Sequence, residues 1–354
     1  MAYTTIDDPS AYFHTLLYTG NGSDDRNLTN TANAGDFKPD FLWIKQRSAT
    51  RGHIIVDSNR GATKRLRPDE ANAEDTKADH IQAFLTDGFQ VGTNNTTNVS
   101  SGTYVAWQWK ANGGTTTTND ASSTGVGNLD SVYQANTTAG FSVVTWTGVH
   151  PGNHNVAHGL GKAPKVIFFK NRSDSASWQV RHGELSAYQK IPLNDTTLPA
   201  TDFNLGHGSS TTTFALQNSN LDNGDGDSML AYCFAEIQGY SKFGKYTGNN
   251  NADGAFVYTG FKPAWLMVKS TTSTEHWNIP VFTSDANGTV NTLSPNLTNA
   301  ERTMDQNPAI DFISNGFKIR TSDANYNGNG GTYIYMAFAE HPFVSSEGVP
   351  VTAR

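Results

Sequence analysis

Three times along the chain a proline leads into an uninterrupted apolar run, then a lysine, then polar turn residues. The copies are FKPDFLWIKQRS (Phe37–Ser48), GKAPKVIFFKNRS (Gly161–Ser173) and FKPAWLMVKSTTS (Phe261–Ser273), with Pro39, Pro164 and Pro263 ahead and Lys45, Lys170 and Lys269 behind. A run such as Val166-Ile167-Phe168-Phe169 is too short for a helix and reads as a strand buried on both faces. Proline is expected at its first residue, where a missing N–H costs no ladder bond. Upstream of each copy stand Tyr18-Thr19-Gly20-Asn21, Trp146-Thr147-Gly148 and Tyr246-Thr247-Gly248-Asn249; downstream stand TYVAWQWKA (Thr103–Ala111), SMLAYCFAE (Ser228–Glu236) and TYIYMAFAE (Thr332–Glu340). Pro39 to Trp109, Pro164 to Phe234 and Pro263 to Phe338 all span about 70–75 residues, a regularity that marks internal repeats.

The predicted fold is all-β: three tandem related antiparallel β-sandwich, jelly-roll-like repeats of about 100 residues each. Residues 1–17 form a lead-in or attachment arm, with Asp8 or Ser10 available to cap a short turn. Repeats follow at 18–114, 141–244 and 245–343, and 344–354 is a tail. Residues 115–140 are Thr/Ser/Gly-rich with almost no apolar face and read as an extended linker. The second and third repeats run straight into each other and are expected to pack closely, leaving the first able to sit apart. LTDGFQVG (Leu85–Gly92) and ISNGFKIR (Ile313–Arg320) match, each with a tight-turn pair opening an alternating strand.

Composition narrows the function classes. A net charge of −7 speaks against a general nucleic-acid or anionic-membrane binder. No run nears the 18 or so apolar residues of a spanning helix, so no membrane insertion is expected. The start, MAYTTIDDPS, has no signal-peptide pattern. The single cysteine, Cys233, lies in an apolar strand and reads as a small core residue. Aromatics at 11% are expected to supply core area between polar turns.

Candidate chemistry dissolves cluster by cluster. His150, His154 and His158 fall four apart, but Pro151, Gly152 and Gly159 deny them a helix, so a turn is the reading and a loop metal site the alternative. Asp222, Asp225 and Asp227 imitate a calcium loop without its closing bidentate glutamate. Glu236 and Glu340 recur at strand ends, but the first repeat has Ala111 there, so a structural role is expected, pairing with the lysines of the proline-led strands. The basic cluster Arg60, Lys64, Arg65 and Arg67, followed by acidic residues, reads as a solvated loop. No catalytic, cofactor or metal residues are assigned, and no cofactor is expected.

The order TGNG, PDFLWIKQRS, DGFQVG, TYVAWQWKANGG resembles a repeat of structural proteins of marine tailed bacteriophages, whose hosts include cyanobacteria. The second set, AGFSVVTWTG, HGLGKAPKVIFFKNRS, DGAFVYTGFKPAWLMVK and YIYMAFAEHPF, is similar to it as well, so the resemblance covers Tyr18 to Phe343. It implies a non-enzymatic virion protein of tail-fibre-like or receptor-binding type, at the particle surface, made in host cytoplasm and released by lysis. The implied partners are other virion proteins, further copies of itself and a host cell-surface glycan; capsid decoration and a glycan-cleaving tailspike are the alternatives. It transfers no catalytic or ligand residue. Without heptads for a shaft, the chain reads as a compact knob. The N-terminal part is expected to seat it, with loops Asp222–Asp227 and Asn325–Gly331 varying outward.

Overall fold

The three apolar closing strands each find a partner on both edges. The closing strands Thr103–Trp109, Ser228–Phe234 and Thr332–Pro342 lie centrally, paired antiparallel on one side to the opening strands Phe13–Thr19, Phe141–Thr147 and Ser241–Thr247. On the other side each pairs with its proline-led strand: Phe41–Gln46, Val166–Asn171 and Phe261–Ser270. This order (opening, closing, proline-led) occurs three times, in a four-stranded, an eight-stranded and a three-stranded sheet. The computed structural model describes residues 2–30, 37–201, 208–216, 223–281, 291–303 and 309–351. The protein is mostly β, 43% strand and 5% helix, in several antiparallel sheets.

Strand alternation explains why the central strands are apolar throughout. One face of the closing strands carries Trp107 and Trp109, Tyr232 and Phe234, Met336 and Phe338, and these join one cluster spanning all three repeats. The opposite faces enter three separate clusters: Tyr104 and Ala106 with Ile81 and Phe89, Ala231 and Cys233 with Phe214, and Tyr335 and Ala337 with Phe317. Trp109, Phe234 and Phe338 meet in the shared core as a triangle, with ring centroids 6.4, 5.5 and 6.0 Å apart.

Several expectations are corrected here. Phe13 is no lead-in residue: it opens a core strand, pairs with Trp109 and is 2% exposed. Only residues up to Tyr12 precede that strand, including a 3-10 turn Pro9–Ala11 capped by Asp8, and Thr4 and Tyr3 bond to the carbonyls of Gln238 and Gly260. Residues 115–140 are not an extended linker. Thr117–Asn119 and Ser131–Asn136 are strands continuing the second repeat's sheet, and polar side chains on them find partners inside: buried Gln134 donates to Ser58 Oγ and Asn59 Oδ1 of the first repeat, each at 2.8 Å. The first repeat therefore does not sit apart: its Phe41 packs on Phe141 and Tyr232. Pro39 and Pro164 fall two residues ahead of their strands, while Pro263 lies inside its strand at a register shift, which absorbs the missing N–H.

The recurring Thr-Gly after each opening strand also has a cause. A Cβ on Gly20, Gly148 or Gly248 would run into the carbonyl oxygen of Val99, Gly224 or Gly328. Beside these glycines Asn98, Asn223 and Asn327, all fully buried, accept from the backbone N–H of Asn21, Val149 and Asn249. The Asn325–Gly331 loop is consequently framework rather than a variable tip, with Tyr326 1% exposed. Asp225 accepts from the N–H of His150, and Asp227 from Asn171 Nδ2; Asp222 lies outside the described residues.

Candidate functional site

Polar residues that fold into the interior cluster where one repeat meets the next. His53, Trp178 and Trp277 stand at matching places after the three proline-led strands. Trp178 Nε1 donates to Arg67 O at 2.9 Å, and Trp277 Nε1 donates to Pro192 O at 2.8 Å. His53 Nδ1 accepts from Trp43 Nε1 at 2.9 Å, which leaves the proton on Nε2, 3.1 Å from Ser294 O. The second repeat thus reaches to the first, the third to the second and the first to the third. Burial holds the His53 imidazole well below its ordinary range, so it is neutral as this tautomer requires.

The lysines of the proline-led strands serve the same seams. Their carboxylate pairing is corrected: all three are fully buried and donate to carbonyl oxygens. Lys170 Nζ reaches Asn171 O at 2.7 Å, Ala176 O at 2.8 Å and, in the first repeat, Ala71 O at 3.0 Å. Lys269 Nζ reaches Ser270 O at 2.8 Å and Thr196 O of the second repeat at 3.3 Å; Lys45 Nζ reaches Gln46 O at 2.6 Å. Burial pushes all three ammonium groups down to about 8. Glu236 instead meets Lys165 at 3.3 Å and Lys242 at 3.4 Å, and Glu340 meets Lys262 at 2.8 Å, near the surface where charge keeps its water.

Two seams add a bidentate arginine pair. Arg172 grips Glu74 at 2.8 and 3.0 Å, and Arg47 grips Glu301 at 3.1 and 2.8 Å. Each glutamate N–H also donates to the carbonyl of its arginine. The basic cluster is not solvated as expected. Arg60 is buried, with Nε 2.5 Å from Asp57, Nη1 2.8 Å from Glu74 and Nη2 3.1 Å from the Tyr232 hydroxyl of the second repeat. Burial alone would lower its pKa, but Asp57, Tyr232 and Glu74 outweigh this and raise it. Arg65 pairs with Asp75 and Arg67 with Glu70, so none of the three arginines is presented to a phosphate. The one signal in the sequence was the run of acids that follows, of which Glu70, Glu74 and Asp75 are the arginines' own partners.

The histidine set does not converge. His158 is fixed between the Leu160 N–H, 3.1 Å away, and Ser210 O, 3.2 Å away, with its imidazole pushed down to about 4 by burial. Among the described residues no group of three or more His, Cys, Asp or Glu side chains could hold a metal ion. Burial pushes the Cys233 thiol up, which keeps it protonated and unreactive. Open hollows remain among the described residues. One of about 590 Å³ is lined by Asn128, Asp130, Thr145, Trp146 and Arg172; Asp130 is engaged by the Ala121 N–H. Another of about 560 Å³ holds Lys165 between Glu184 and Glu236, cation and anions already paired.

The outward sheets differ from one another. In the first repeat Arg26–Leu28 pairs with Phe89–Val91, and on its outer side Gln90 Nε2 donates to Asn27 Oδ1 at 3.0 Å. In the third repeat Phe256–Tyr258 pairs with Gly316–Ile319 in the same register, Val257 against Phe317 matching Leu28 against Phe89. The positions of Asn27 and Thr29 are there taken by Phe256 and Tyr258, 48% and 54% exposed. Tyr3 holds this edge, its hydroxyl 3.2 Å from that of Tyr258.

Comparison with curated proteins finds no match, and comparison with solved structures finds none. A family model does match residues 8–342, a span that begins just before the first opening strand and ends with the last closing strand. The unit of that family is therefore the whole three-repeat assembly rather than one repeat, and the chain belongs to it: a domain of unknown function, DUF7483.

Proposed function

We propose that the chain is three related β-sandwich repeats closed into a ring, and that it works as a non-enzymatic virion structural protein, a tail-associated or fibre-tip adhesin that contacts the host cell surface. The virion and adhesin part rests on the resemblance of the motif sets to a repeat of marine tailed-phage structural proteins, and one observation supports the non-enzymatic, scaffold part. The buried ionisable groups at the seams (Lys45, Lys170, Lys269, Arg60, Asp57 and Glu74) bond across or beside repeat boundaries, where they fix shape and have no access to a substrate. A rigid knob with differing outer faces suits presentation and binding. Each contact with a surface ligand is individually weak, and several copies per particle would supply avidity.

The test is to probe purified particles with an antibody to this chain, by gold labelling and by mass spectrometry of the particles. Label at the tail and peptides at several copies per particle are expected. A chain found only in the lysate overturns the virion assignment. New reducing ends on incubating the protein with host polysaccharide would overturn its non-enzymatic character.

A further inference from the structure

The outer face of the third repeat carries a built shallow site. Across its three strands Phe256 stands opposite Lys318, which stands opposite Asp311, and Tyr258 stands opposite Gly316, which stands opposite Ile313. Residues directly opposite in antiparallel strands share a face. Gly316 contributes no side chain, so the row Tyr258–Gly316–Ile313 has a floor of bare backbone. Phe256 leans over that floor: a Cβ on Gly316 would meet Phe256 Cε2 at 3.2 Å. Polar groups rim the far side. Lys318 Nζ lies 2.7 Å from Asp253 Oδ1, and Arg320 Nε lies 2.8 Å from Asp311 Oδ2.

We propose that this face is a binding site for a neutral glycan, with the rings of Phe256 and Tyr258 stacking on sugar C–H faces and Asp253, Lys318 and Arg320 bonding to hydroxyls. It rests on the adhesin reading and names that reading's ligand. Three observations select the occupant. The rings are not required by the scaffold, because the first repeat builds the same hairpin with Asn27 and Thr29 at these places. The rim is charge-balanced, Lys318 and Arg320 against Asp253 and Asp311, so it selects neither a polyanion nor a polycation. Two rings ringed by four charges are too small an apolar area for a stable protein partner, which needs about 800 Å² a side. A sugar ring meets all three conditions, with apolar faces and an edge of hydroxyls. Tyr3, bonded to Gly260 O at 2.9 Å, holds Tyr258 in place before the ligand arrives.

The experiment compares the full chain with the double variant Phe256→Asn/Tyr258→Thr, which installs the residues of the first repeat. Both are applied to immobilised gluco-, galacto- and manno-oligosaccharides of a few units, to acidic polysaccharides and to intact host cells. The native chain is expected to bind at least one neutral series with little dependence on salt, and the variant to bind it at least about tenfold more weakly at an unchanged melting temperature. Equal binding by the variant, or binding to acidic polymers alone, overturns the site while the adhesin reading stands. Binding to cells but to no neutral sugar does the same. Binding to neither cells nor sugars overturns both. Sedimentation as a dimer that the variant abolishes would make the face a contact between copies and also overturn the glycan.

Discussion

The inward and outward sides of the three repeats obey different rules. Inward, matching positions do matching work with different residues: Trp109, Phe234 and Phe338 form one aromatic triangle, and His53, Trp178 and Trp277 each donate to the repeat before it in cyclic order. Outward, matching positions diverge, from Asn27 and Gln90 bonded to each other to Phe256 beside Lys318. A seam that must close against a neighbour tolerates only residues of suitable volume and a donor aimed at one carbonyl. A face that meets water tolerates nearly anything, so what stands there reflects use.

The largest effect should come from the shared core. Trp109→Ala and Phe13→Ala should each cost about 3–5 kcal/mol, and unfolding should stay a single transition because no repeat owns that core. Three separate melting steps by calorimetry would break the comparison. Arg60→Met leaves Asp57 buried without its cation and Glu74 with Arg172 alone, and should cost about 3–5 kcal/mol by denaturant titration, whereas Gln90→Ala on the outer face should stay within about 0.5.

Smaller effects sharpen it. Trp178→Phe and Trp277→Phe keep an aromatic ring but lose part of the indole's bulk and the N–H given to the Arg67 and Pro192 carbonyls, and each should cost about 1–3 kcal/mol. If neither moves the urea midpoint, the seam bonds carry no stability. The buried lysines, held near 8 against an ordinary 10.5, bind fewer protons in the folded chain than in the unfolded one across that interval. Stability should therefore rise with pH above about 8. It should fall again above 10, where buried Tyr18, Tyr232 and Tyr246 keep protons that the unfolded chain releases. A flat midpoint between pH 8 and 9.5 would contradict the lysine burial. Phe256→Asn/Tyr258→Thr should leave stability within about 0.5 kcal/mol, as small an effect as Gln90→Ala.

What the sequence determined by itself was local and periodic. The three proline-led runs, the Thr-Gly signals and the tight turns at Asp87-Gly88 and Asn315-Gly316 name their strands, because alternation and turn chemistry act over a few residues. The Asp8 cap was legible for the same reason. What only the tertiary structure decided was everything that joins distant residues. Phe13 looks like part of a polar lead-in until Trp109 pairs with it. Residues 115–140 look like a linker because their polar side chains announce no core, and only the fold brings Ser58 and Asn59 to the buried Gln134. Arg60 and Lys170 carry the same charge as surface residues, and only the tertiary fold makes their burial possible, by bringing Asp57, Glu74 and the second repeat's Tyr232 to Arg60 and the first repeat's Ala71 carbonyl to Lys170.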